Sequence, residues 1–168
     1  MDTTGKTQWY IGAPNGVILC VKGAQDGELW GEMYHSYSAE AIPFANIEQM
    51  TLTMERLYDW LQFPHRSTNS RSFTDPEPHY TRIQERKKIM SDESLLQKHG
   101  DIGTFIVRVQ HRQNSSWQGR ITWMEEDKTL HFRSVWEMIK LIESAVDTVS
   151  EQEEDSSAPE ATWFPAEE

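Results

Sequence analysis

The sequence predicts an α+β fold, an antiparallel sheet packed against helices, built as an internal duplication of strand-strand-(short strand)-helix units. Three observations carry that expectation. Sliding the chain against itself by 88 residues aligns about 17–61 with 105–149 without a gap and matches Ile18 with Ile106, Val21 with Val109, Gly31 with Gly119, Phe44 with Phe132, Glu55 with Glu143 and Asp59 with Asp147. Helix-opening capping boxes recur in the same register, Asn46…Gln49 and Ser134…Glu137. Each box opens an amphipathic stretch. Ile47, Met50, Met54, Leu57, Tyr58 and Leu61 share one stripe, and Val135, Met138, Ile139, Ile142, Ala145 and Val146 share the other.

The elements follow in order. Gln8 to Ile11 reads as an extra strand, closed by the turn residues Ala13-Pro14-Asn15-Gly16. Each unit then opens with an apolar strand, Gly16–Val21 or Thr104–Val109. A polar turn follows, Gln25-Asp26-Gly27-Glu28 in the first unit and Gln113-Asn114-Ser115-Ser116 in the second. Second strands span Leu29–Tyr37 and Trp117–Glu125, and short extended pieces end at Phe44 and Phe132. Between the units, Phe63–His79 is rich in Pro, Ser, Thr and Asn and reads as a loop. Tyr80–His99 reads as helical, with a cap at Ser91 and a stop at Gly100. Residues 1–150 are thus expected to form a single α+β domain, its two units joined by the loop and helix of 63–100. Residues 151–168 are expected to be a disordered acidic tail.

Charge and composition exclude several classes of function. The formal net charge is −11, and the last eighteen residues carry seven acids and no base, so the body is only mildly acidic and compatible with an anionic partner. The N-terminus shows no apolar signal region and no window approaches the ~18 apolar residues of a membrane span, which points to the cytoplasm. A single cysteine, Cys20 in the apolar run Val17–Val21, excludes an intramolecular disulfide and a multi-cysteine zinc site. Phosphate loops, dinucleotide fingerprints, His-Glu-x-x-His and Gly-x-Ser-x-Gly are all missing, and the six histidines lack ligand spacing. No cofactor or metal is therefore expected, and no catalytic residue is assigned.

Two surfaces stand out. Alternation along the second unit's strands places Arg108, Gln110 and Arg112 on one sheet face with Gln118, Arg120 and Thr122, and Arg133 stands at the start of the helix. The arginine fork suits carboxylate or phosphate. Linker cations such as Arg66 and Arg86 are placed to widen the patch. The other surface is the tail, where the pair Trp163-Phe164 is the kind of aromatic anchor that interfaces use. The sequence therefore reads as a non-catalytic binding protein, an adaptor, regulator or inhibitor with a protein partner. The alternative is a nucleic-acid-binding accessory protein that uses the arginine face. Exposed stacking aromatics, which single strands require, are not expected on that face, because Trp117 and Trp123 fall on its apolar side.

Overall fold

The computed structural model describes Ile11 and residues 14–69, 71–74 and 86–153. Six strands form one antiparallel sheet in the order β3-β2-β1-β4-β5-β6. They are β1 (Val17–Gln25), β2 (Glu28–His35), β3 (Ile42–Phe44), β4 (Gly103–His111), β5 (Gln118–Trp123) and β6 (Lys128–Phe132). Two long helices, α1 (Ile47–Leu61) and α3 (Val135–Glu153), cover one face, and a five-residue helix, α2 (Asp92–Leu96), covers part of the other. The expected α+β class is what the chain adopts.

Local chemistry accounts for the turns and helix starts. β1 and β2 are joined by Asp26-Gly27 with both residues in the left-handed region (φ 53° and 78°), the geometry that matches the twist of a two-residue hairpin. Both capping boxes form alike: the Gln49 amide donates to Asn46 Oδ1 at 2.8 Å and the Glu137 amide to Ser134 Oγ at 3.0 Å. The side chains of Gln49 and Glu137 reach back to the amides of Ala45 and Arg133.

The main core lies between sheet and long helices. Met50, Met54, Tyr58 and Leu61 of α1 and Met138 and Ile142 of α3 pack on Val17, Leu19, Phe105 and Val107. Burial of each such side chain contributes about 1.5–3 kcal/mol. A second, smaller core fills the opposite face, where Ile11, Ile18, Cys20, Leu95, Ile106 and Met124 meet. The sequence reading expected one sheet layer and one helix layer. The strands at the centre are instead buried on both faces, as the unbroken run Val17–Val21 requires.

Order and detail repeat along the chain. Strand, strand, short strand and helix occur twice, and the register slips between Val21 and Gly23 in β1 and between Val109 and His111 in β4. Gly31 faces Phe44 and Gly119 faces Phe132. A Cβ on Gly31 would collide with the carbonyl of Cys20, and one on Gly119 with the carbonyl of Arg108.

Several boundaries differ from the sequence reading. The helix expected over 80–99 is confined, within the described part, to Asp92–Leu96 behind its Ser91 cap, and 86–90 is not helical. Its C-terminal half is too short and too polar to propagate a longer helix without a buried stripe. Helix α3 continues through Glu153, so the first three residues assigned to the tail are helical. The strand expected at Gln8–Ile11 lies outside the described residues except for Ile11, which is buried and belongs to no strand. Among the described residues, no helix is long and apolar enough to cross a membrane.

Candidate functional site

Arginines of the second unit define two environments, separated by the bulge at Gln110. Up to Val109, alternation holds: Phe105, Val107 and Val109 face α1 and α3. The bulge inserts one residue, so that two residues of β4 oppose one of β5, and every later side chain changes face. Arg112 therefore does not join Arg108 on the face away from α1 and α3, as period-2 alternation implied. It turns toward α1 and is only 4% exposed.

There Arg112 ties three segments together. Its Nε donates to the carbonyl of Pro64 at 2.7 Å, and one terminal nitrogen donates to Glu55 Oε1 at 3.1 Å and Asp59 Oδ1 at 2.7 Å. Glu55 and Asp59 are spaced i, i+4, which places both carboxylates on one face of α1. The other oxygen of Glu55 accepts from the indole nitrogen of Trp117 at 2.7 Å. Trp117 stacks edge-on against Tyr58, with ring centroids 5.4 Å apart. Arg66 also reaches Asp59, at 3.4 Å. Positive and negative charges balance within this knot, which is what a buried guanidinium requires.

Beside the knot lies a small cleft of about 200 Å³ between α1, the β4–β5 turn and the start of α3, walled by Leu52, Glu55, Arg66, Ser115, Trp117 and Val135. Asn114 and Ser115 both take the left-handed conformation (φ 55° and 56°), which curls the turn so that Ser116 Oγ accepts from the Val135 amide at 2.9 Å. The Thr68 and Ser115 hydroxyls share a hydrogen bond at 3.0 Å. Among the described residues, no group of three His, Cys, Asp or Glu side chains is arranged to hold a metal ion.

On the opposite face the strand register sets a row. Arg108 of β4 stands opposite Arg120 of β5, and Arg120 stands opposite His131 of β6. The adjacent rung runs from Ile106 through Thr122 to Thr129, whose hydroxyls bond at 2.8 Å. Arg108 and Thr122 are half-buried, while Arg120, His131 and Thr129 are exposed. Of the other residues read from the sequence, Gln110 is the bulge residue and half-buried. Gln118 is engaged in its own hairpin, donating to the carbonyls of Gln113 and Arg133 and accepting from the Gln113 amide. Arg133 is exposed at the helix start and pairs with Glu137 at 2.9 Å, which holds that carboxyl below its usual range. Trp163 and Phe164 lie outside the described residues.

Arg66 and Arg86 do not widen the row. Arg66 belongs to the knot, and Arg86 lies over Trp60, 4.4 Å from the ring centre. Sequence reasoning passed over Glu55, Asp59 and Trp117. A signal for them existed: the i, i+4 carboxylates recur as Glu143 and Asp147, yet the position equivalent to Arg112 is Ala24, so the arginine is special to one half. Comparisons with protein-family models, with curated proteins and with solved structures returned no match.

Proposed function

We infer that the chain is a non-catalytic binding protein, an adaptor, regulator or inhibitor, that docks the acidic surface of a partner protein on the sheet face away from α1 and α3. The observation that carries this reading is the row Arg108–Arg120–His131. The two arginines stand opposite each other on neighbouring strands, beside a pair of threonine hydroxyls, on the sheet face away from α1 and α3, with Arg120 and His131 exposed. A guanidinium pair of this kind supplies planar donors for carboxylates, and the hydrogen-bonded threonine pair keeps one hydroxyl proton to donate. Arg112 supports the cleft and takes no part in the row. The acidic segment bearing Trp163 and Phe164 belongs to the proposal as a second contact, on the strength of its sequence alone.

Affinity capture with the tagged protein, with and without nuclease, tests the reading when wild type and Arg120→Glu are run in parallel. The expected result is a partner that survives nuclease and is lost from Arg120→Glu. Partners that vanish with nuclease would transfer the row to nucleic acid, and a partner set unchanged by Arg120→Glu would overturn the reading.

A further inference from the structure

The two outer edges of the sheet are built differently. β3 has three residues with Pro43 at its centre, opposite Glu32. A proline is tolerated in a ladder only where its missing N–H would have pointed away from the neighbouring strand. Proline and shortness together blunt an edge against further pairing. β6 has five residues, and the position corresponding to Pro43 is His131, opposite Arg120 as Pro43 is opposite Glu32. The equivalence directs the His131 N–H away from β5. By alternation the N–H of Thr129 points outward too.

We propose that this chain forms a homodimer in which the β6 edges of two copies pair antiparallel about a two-fold axis at Leu130. Among the described residues no strand pairs with the outer edge of β6, and three further observations support the pairing. Leu130 is 55% exposed although it lies on the helix side of the sheet, opposite Ile121. Trp136, in the first turn of the helix that follows β6, is 67% exposed. An exposed leucine on the strand and an exposed tryptophan four residues beyond its end offer apolar surface that a second copy would cover.

Charge supplies the third support and the register. With Leu130 on the axis, Thr129 faces His131 of the second copy, so the two outward N–H groups of each strand meet carbonyls. Beyond the ends of the strands, Asp127 then faces Arg133 of the second copy, twice by symmetry. Both residues are exposed, Arg133 with 87% of its side chain accessible. The pairing is isologous, as a two-fold demands, and it converts two six-stranded sheets into one continuous sheet. An edge this short buries little area, so the dissociation constant belongs in the micromolar range.

Sedimentation equilibrium of the full chain over a concentration series, at physiological salt, tests the proposal. His131→Pro copies onto β6 the device that β3 already carries, at a position where the fold tolerates it. It and Leu130→Lys are each expected to weaken dimerisation at least tenfold, with the circular dichroism spectrum unchanged. Asp127→Arg is expected to weaken it as well, and adding Arg133→Asp in the same chain is expected to restore it. A wild-type chain that stays monomeric at high micromolar concentration, or a dimer indifferent to His131→Pro and Leu130→Lys, would overturn the proposal.

Discussion

Ile18 of β1 stands directly opposite Ile106 of β4, its counterpart 88 residues later, at the centre of the sheet. On either side the partners exchange roles: Val17 meets Val107, and Leu19 meets Phe105. The two halves therefore meet through the same strand, run in opposite directions, as a local two-fold relation would place them. A common origin of the halves is a proposal that rests on this pairing, on the equivalent bulges and on the equivalent glycine contacts.

The glycines test the equivalence. Gly31→Ala and Gly119→Ala each drive a Cβ into a backbone carbonyl, which cannot yield as a flexible side chain would. Each substitution is expected to cost about 1–3 kcal/mol, the range of overpacked sites. The two losses should match closely in urea denaturation. A large loss at one glycine with none at the other would break the correspondence.

Arg112 sets the second prediction. Arg112→Leu removes the shared partner of Glu55, Asp59 and the Pro64 carbonyl. Breaking a fully buried pair costs about 3–5 kcal/mol. Here Glu55 and Asp59 are 29% and 40% exposed and regain water, so a loss of about 2–3 kcal/mol is expected. Adding Glu55→Gln should cost less in the Arg112→Leu background than in wild type, because the stranded carboxylate is then gone. Equal cost in both backgrounds would show that the two residues are not coupled.

Much of the fold was legible because it follows local periodicity. The two long helices, their caps and the hairpin at Asp26-Gly27 are written in the order of residues. The site was less legible because one bulge at Gln110 reverses the face of everything after it, and no residue type there announces a bulge. The clue lay in the other half. Gly23, a glycine inside a strand, marks the equivalent slip in β1, and carrying it across by 88 residues would have turned Arg112 toward α1. The second core was missed for a different reason: the helix expected there buries only Leu95 of α2 against the sheet, and one buried residue leaves no apolar stripe to point at a second face.

Cys20 sets a prediction in pH. Burial, aided by Glu32 and Glu125, pushes its thiol up to about 12. With the folded value raised, its contribution to stability is complete below the thiol's ordinary value near 9.0 and is lost as pH rises toward 12. The native protein should resist a thiol reagent near neutral pH and react fully once unfolded. Rapid labelling of the native chain would place Cys20 in an open site.

His35 acts in the opposite range. Burial lowers its pKa from the ordinary value of 6.5, and Nδ1 accepts from the Tyr37 amide at 3.0 Å. A depressed folded value means that its contribution is complete above about pH 6.5 and is lost as pH falls. Melting temperature should drop on acidification toward pH ~5.5, and His35→Gln should flatten that drop. An identical acid slope in wild type and variant would remove His35 from the account.

The most direct test of the binding face is a titration of the chief nuclease-resistant partner against wild type, Arg120→Glu and Arg112→Lys. If the row Arg108–Arg120–His131 is the docking face, Arg120→Glu weakens binding at least tenfold, wild-type affinity falls steeply with salt, and Arg112→Lys, on the other side of the sheet, binds as wild type does. Equal affinity for wild type and Arg120→Glu, or a loss confined to Arg112→Lys, would contradict the assignment.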